Sequence, residues 1–138
     1  MRPFEILEHP ADIGFRAYGA TLKDLYENAA LALFSLTCDP AAVREAESRE
    51  IEASGSDKET LLYAWLAELL ASAEAERIVF RRAEVTTLAE NRVVGLAFGE
   101  EFDRARHPMG THIKAVTFHQ FLVEPFAGGW RAQVFLDL

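Results

Sequence analysis

Two stretches of the chain offer carboxylates where regular strand pairing should fail. His9-Pro10-Ala11-Asp12-Ile13-Gly14-Phe15 interrupts two apolar runs. Pro10 has no backbone N–H and disfavours strand continuation, so the segment reads as a bend with Asp12 pointing out of a sheet, where it could hold a ligand. An Asp in such a context also serves as a turn former or helix cap. At the far end, Phe135-Leu136-Asp137-Leu138 sets a second carboxylate beside the terminal α-carboxylate. The third place is Arg104 to His112, where Arg104, Arg106 and the following Lys114 gather positive charge in an acidic chain. Such a group could meet a phosphate or an acidic partner, and an exposed charged loop is the plainer alternative.

Other chemistries lack support. His9, His107, His112 and His119 do not fall at zinc-site spacings, and each reads singly as structural. There is no glycine-rich phosphate loop, no Gly-x-Ser-x-Gly elbow and no Cys-His pattern for nucleophilic catalysis. Cys38 is the only cysteine, so neither an intrachain disulfide nor a cysteine zinc cluster can form. Glu68 borders an apolar helix face and reads as a solvated or capping carboxylate.

The elements that must position these groups are legible in the apolar periodicity. Phe4 to Leu7 and Ile13 to Tyr18 are strands flanking the Asp12 bend. Thr21 N-caps a helix over Leu22 to Thr37, whose stripe Leu25, Ala29, Leu33, Leu36 is core, and Asp39-Pro40 ends it. A charged connector over residues 40–48 leads to a short strand, Arg49 to Ala53. Ser56-Asp57-Lys58-Glu59 reads as a capping box opening a second helix, Lys58 to Ala75, with Leu61, Leu62, Trp65, Leu66 and Leu69 on its apolar face. Four strands follow: Arg77 to Thr87, Arg92 to Phe102, Lys114 to Glu124, and Trp130 to Asp137 after the Gly128-Gly129 turn. Lys114 thus opens a strand. Two helices against one mainly antiparallel sheet make an α+β two-layer sandwich.

The 138 residues fit one domain, residues 1–138, with an ordinary globular composition of 50% apolar and 26% charged residues. A formal net charge of -8 argues against charge-driven binding to nucleic acid or anionic membrane, so any RNA contact is expected to be local or through a partner. The N-terminus lacks the apolar core of a signal peptide, and no run reaches the roughly 18 apolar residues of a membrane span. The expected compartment is the cytoplasm.

Five blocks in order resemble the archease family: Leu7-Glu8-His9-Pro10-Ala11-Asp12-Ile13-Gly14, Gly19-Ala20-Thr21-Leu22-Lys23-Asp24-Leu25-Tyr26-Glu27-Asn28-Ala29-Ala30, Leu61 through Leu70, Lys114-Ala115-Val116-Thr117-Phe118-His119, and Phe135-Leu136-Asp137-Leu138. The likeness spans essentially the whole chain. It departs at Pro10, Tyr26 and Leu138, where the family commonly has Thr, Phe and Ile, and none of these removes a side-chain oxygen or nitrogen ligand. The resemblance implies an accessory protein, not itself an enzyme, for the RtcB-type RNA ligase of tRNA splicing and RNA repair. Archeases promote guanylylation of the ligase's active-site histidine from GTP, allow many turnovers and broaden nucleotide use. By the family pattern Asp12, Asp137 and the terminal carboxylate of Leu138 match a metal-binding cluster, and Lys114 matches a basic residue needed for activation.

That assignment agrees with elementary chemistry. Three carboxylates held together repel, and a hard divalent cation relieves the repulsion. Oxygen-only ligands suit calcium, with magnesium or manganese as alternatives, rather than zinc. A compact ammonium at Lys114 could steady a phosphate of the transferring nucleotide. Two other readings remain, a stand-alone metal-dependent phosphoester enzyme and a general chaperone or protein-binding module.

Overall fold

In a computed structural model, which describes residues 2–8 and 12–138, the periodicities resolve into eight strands and two α-helices among the described residues. The strands are β1 (Phe4–Glu8), β2 (Ile13–Gly19), β3 (Glu47–Ser54), β4 (Ile78–Leu88), β5 (Arg92–Glu101), β6 (Ala115–Val116), β7 (Leu122–Phe126) and β8 (Gly129–Asp137). The helices are α1 (Leu22–Thr37) and α2 (Lys58–Glu76). A 3-10 turn, Pro40–Ala42, follows α1. The expected bend at His9 and Pro10 lies outside the described residues.

The α+β class and the antiparallel pairing stand, but the strands are divided between two sheets. One has the order β1-β2-β8-β6, with β7 also on β8, and the other the order β3-β5-β4. Each helix touches strands of both sheets, while among the described residues no strand of one sheet touches a strand of the other, so the helices lie between them. The reason is visible on α1. Leu25, Tyr26, Ala29, Ala30, Ala32, Leu33 and Phe34 are all buried, a band too wide for one covering layer. On the facing side of β2 and β8, Phe15, Ala17, Ala132, Val134 and Leu136 are completely buried.

Local chemistry fixes the helix starts. The Thr21 hydroxyl accepts from the Asp24 N–H at 3.1 Å, as expected of an N-cap. The capping box of α2 is displaced by one residue from Ser56 and Glu59. Asp57 is the cap, its carboxylate accepting the Thr60 N–H at 2.8 Å while Thr60 Oγ1 accepts the Asp57 N–H at 3.1 Å. Between the helices, the Trp65 indole donates to the Tyr26 carbonyl at 3.2 Å and the Tyr26 hydroxyl to the Lys58 carbonyl at 2.8 Å.

A second correction concerns the expected strand from Lys114 to Glu124, which is broken into β6 and β7. Gln120 sits at φ 49, in the left-handed region, and the Phe121 N–H closes a turn onto the Phe118 carbonyl at 3.2 Å. Packing drives the break. Phe118 and Phe121 fold back onto Tyr63 of α2, with ring centroids 4.2 Å and 6.2 Å from it, which an unbroken strand would not allow.

Candidate functional site at the end of the central strand

β8 is the strand around which the expected site residues meet. It pairs antiparallel with β2 up to Ile13↔Leu136, so the next step in register sets Asp12 opposite Asp137. Residues opposite one another in such a pair project from the same face. Ile13, Phe15, Val134 and Leu136 face the helices, which puts Asp12 and Asp137 on the outer face with Gly14 and Phe135. Asp12 is half-buried and Asp137 exposed. Leu138, 40% exposed, follows directly.

Gly14 has a clear physical task here. A Cβ at that position would lie 2.6 Å from the Phe135 ring, so only glycine lets the ring lie flat across β2 beside the two aspartates. The Asp-Ile-Gly sequence thus places a carboxylate and makes room for its neighbour in three residues.

Lys114 approaches from the other flank of β8. Its N–H donates to the Asp137 carbonyl at 2.8 Å, and Ala115 pairs with Asp137. Lys114 does not open a regular strand, since β6 begins one residue later. Its side chain is exposed and shares its alternation with the inward Val116, so it leaves the sheet on the side opposite the two aspartates. The structure therefore brings Asp12 and Asp137 together on one face and sets Lys114 across the same strand end.

Among the described residues no three His, Cys, Asp or Glu side chains converge on a point where a cation could sit. The expected donor set contains only two side chains, the third donor being the α-carboxylate of Leu138. Such an all-oxygen set fits a hard divalent ion whose remaining positions are filled by water or by a partner, and it does not fit zinc.

The basic loop resolves differently from a phosphate site. Arg106 forms a fork onto Glu100, donating to its two oxygens at 2.7 and 3.0 Å, and the Arg44 N–H donates to the same carboxylate at 2.7 Å. His107 is fully buried. Its Nδ1 accepts the Asp103 N–H at 2.9 Å, so Nε2 is the nitrogen that donates to Glu100, at 3.0 Å. These donors, Arg106 first, hold the Glu100 carboxyl far below its ordinary range, against the opposing effect of burial. Further along, the Gly110 and Thr111 N–H groups donate to Thr37 and Leu36 at 3.0 and 2.8 Å, satisfying carbonyls at the end of α1. The loop is a strap tying β5 to α1. Arg104 remains exposed, as does Glu68. The anchoring role of Glu100 escaped sequence reasoning. The one signal was an acidic pair, Glu100-Glu101, closing a strand just before two arginines and a histidine.

These features define a class: an α+β protein of two antiparallel sheets around two helices, with a polar site at the end of a central strand and no nucleotide-binding loop. The Archease protein family model matches residues 4–138. The protein archease of Methanosarcina mazei is 42% identical over 141 residues, spanning 99% of this chain and 97% of that one. The Methanopyrus kandleri archease is 42% identical over 139 residues, with 99% of each chain covered, and that of Pyrococcus abyssi 38% over 142, with 100% of each. The solution structure of Methanobacterium thermoautotrophicum protein 1598 superposes with a TM-score of 0.84 at 37% identity, covering 100% of both chains. The chain belongs to the archease family. No described helix is long and apolar enough to cross a membrane.

Proposed function

We propose that this protein activates an RtcB-type RNA ligase, promoting guanylylation of the ligase's active-site histidine and repeated turnover in tRNA splicing and RNA repair. It acts as an accessory protein and does not itself join RNA. The observation that carries this reading is the register that sets Asp12 opposite Asp137 with Lys114 on the other side of the same strand end. Family membership supplies the partner.

Asp12, Asp137 and the α-carboxylate of Leu138 hold a divalent cation, calcium first and magnesium or manganese as alternatives. A hard cation there supplies positive charge to the phosphates of the GTP used by the ligase. Phe135 covers the aspartates' neighbour Gly14 and keeps β2 and β8 in fixed register, so the two carboxylates are held before any partner arrives. Lys114 presents a compact ammonium from the opposite side, where it steadies a phosphate without competing for the cation. The chain works in the cytoplasm and meets RNA through the ligase.

The test mixes the protein with its cognate ligase, GTP, a divalent salt and an RNA with cleaved ends, counting ligation events per ligase molecule. Multiple turnovers only in its presence support the reading. Hydrolysis of GTP or a phosphate ester by the protein alone would move it to the stand-alone enzyme class. Suppression of unrelated protein aggregation that survives Asp12→Ala and Asp137→Ala would make it a chaperone.

A further inference from the structure

Most large apolar side chains of this protein are buried, but Phe118 is 52% exposed. It is not a loose side chain. Its ring stacks on Tyr63 at 4.2 Å with the planes 12° apart, and Phe121 lies 5.3 Å away. The turn carrying it is fastened to β8: Thr117 Oγ1 donates to the Phe135 carbonyl at 2.9 Å, and Gln133 Nε2 to the Gln120 carbonyl at 3.0 Å. One face of the ring is therefore already covered by Tyr63, while much of the ring stays open to solvent. A rigid aromatic presented this way gives up little conformational freedom on binding, the property of an interface anchor.

Its position gives it a partner. Phe118 follows Lys114 by four residues, about 13 Å along an extended chain, and stands two residues beyond the Val116↔Leu136 pair that borders Asp137. Anything that meets Lys114 and the Asp137 end of β8 must pass close to this ring. The surroundings select by charge as well. The chain carries a formal net charge of -8, and Glu59 lies one helical turn before Tyr63 on α2. A free nucleic acid is disfavoured at such a surface, whereas an enzyme that binds RNA must carry a basic rim around its cleft.

We infer that Phe118, backed by Tyr63 and Phe121, is the aromatic anchor by which this protein docks on the basic rim of the RNA ligase it activates. The inference rests on the function proposed above and assigns the surface that function requires. Docking and activation are separable: Phe118 sets how tightly the ligase is held, and the Asp12, Asp137 and Lys114 end sets what happens once it is.

The experiment measures ligation turnover against activator concentration for the wild type, Phe118→Ser, Phe126→Ser and Lys114→Ala, with direct titration of each onto the ligase. Phe126, 37% exposed, lies at the Gly129 end of β8, away from Asp137, and serves as the control. Circular dichroism verifies that each variant folds; Phe118→Leu, which keeps the apolar contact without the flat ring, stands in if the serine variant does not. The expected result is a rise of about tenfold or more in the half-maximal concentration for Phe118→Ser, with the plateau kept, and no change for Phe126→Ser. Lys114→Ala should lower the plateau instead. An unchanged half-maximal concentration for both Phe118 variants overturns the docking inference while leaving activation intact. No activation by the wild type overturns the function itself. Binding of single-stranded RNA by the protein alone, lost in Phe118→Ser, would make the ring a base platform and overturn the inference. Self-association in sedimentation, lost in the same variant, would also overturn it.

Discussion

Asp137→Asn should make the metal-free protein more stable and the metal-loaded protein less stable, and both effects can be sized. The next step past Ile13↔Leu136 places the α-carbons of Asp12 and Asp137 about 5 Å apart, hence their carboxylates roughly 6 Å apart. Two like charges at that separation repel by roughly 0.7 kcal/mol at the dielectric of water and about 3 kcal/mol at an effective dielectric near 20. Asp137 is exposed, so the lower end applies, about 1 kcal/mol. For 138 residues the unfolding entropy at the midpoint is roughly 290 cal/mol/K, which converts 1 kcal/mol into ~3 °C. In EDTA the variant should therefore melt about 3 °C above the wild type. With calcium at a hundredfold excess over Kd, the wild type gains about 2.7 kcal/mol, or ~9 °C, and the variant much less. The two melting temperatures cross as calcium is titrated. Differential scanning fluorimetry with and without calcium, repeated with magnesium and manganese, reads both arms and ranks the ions. Equal calcium shifts in both proteins, with no gain for the variant in EDTA, would refute the paired-carboxylate site.

Four further outcomes are expected. Lys114→Ala should lose activation while keeping its calcium affinity in calorimetry, because an ammonium is not a cation ligand, and Lys114→Arg should not restore it since the guanidinium spreads its charge. A C-terminal extension should weaken calcium binding and activation, both returning when cleavage leaves Leu138 last, whereas an N-terminal tag should be tolerated in both assays. Gly14→Ala should lower stability by about 1–3 kcal/mol in urea unfolding through overpacking against Phe135, with a parallel loss of calcium affinity as β2 and β8 shift. Glu100 has a folded-state pKa depressed from its ordinary 4.5, so its contribution is complete above that value and lost as pH falls below it. Thermal melts from pH 7 to pH 3 should show this loss in the wild type and a flatter profile in Glu100→Gln.

Much of this was legible in the chain because local rules and tertiary packing agreed. α1 occupies the expected range, Leu22–Thr37, since the Thr21 cap and the Leu25, Ala29, Leu33 stripe point the same way. Most strand ends fall within a residue or two of the alternation. The failures lie where distant contacts outweighed local pattern. Alternation in Lys114 to Glu124 reads as one strand, and nothing in those residues announces that Tyr63, more than fifty positions earlier, draws Phe118 and Phe121 aside. Residues 104–107 read as surface charge because the carboxylate that engages Arg106 and His107 belongs to the preceding strand. The site was half legible. Asp12, Asp137 and Lys114 stood out by type, but their meeting depends on β2 and β6 flanking β8, a topology that sequence spacing does not state.

The place of β8 in the sheet also sets a timetable. It is the last strand in chain order, yet β2, β6 and β7 all hydrogen-bond to it, and the last two pair with no other strand. Synthesis proceeds from the N-terminus, so β1 and β2 can form a hairpin and β3, β4 and β5 a complete sheet long before Gly129–Asp137 exists. Until then β6 and β7 have no ladder to join and the β2 edge stands open. The strand that closes this sheet is the one that carries Asp137, so a nascent or truncated chain lacks a finished fold and a finished site together. An activator built in this order cannot act on its ligase before its own folding is complete.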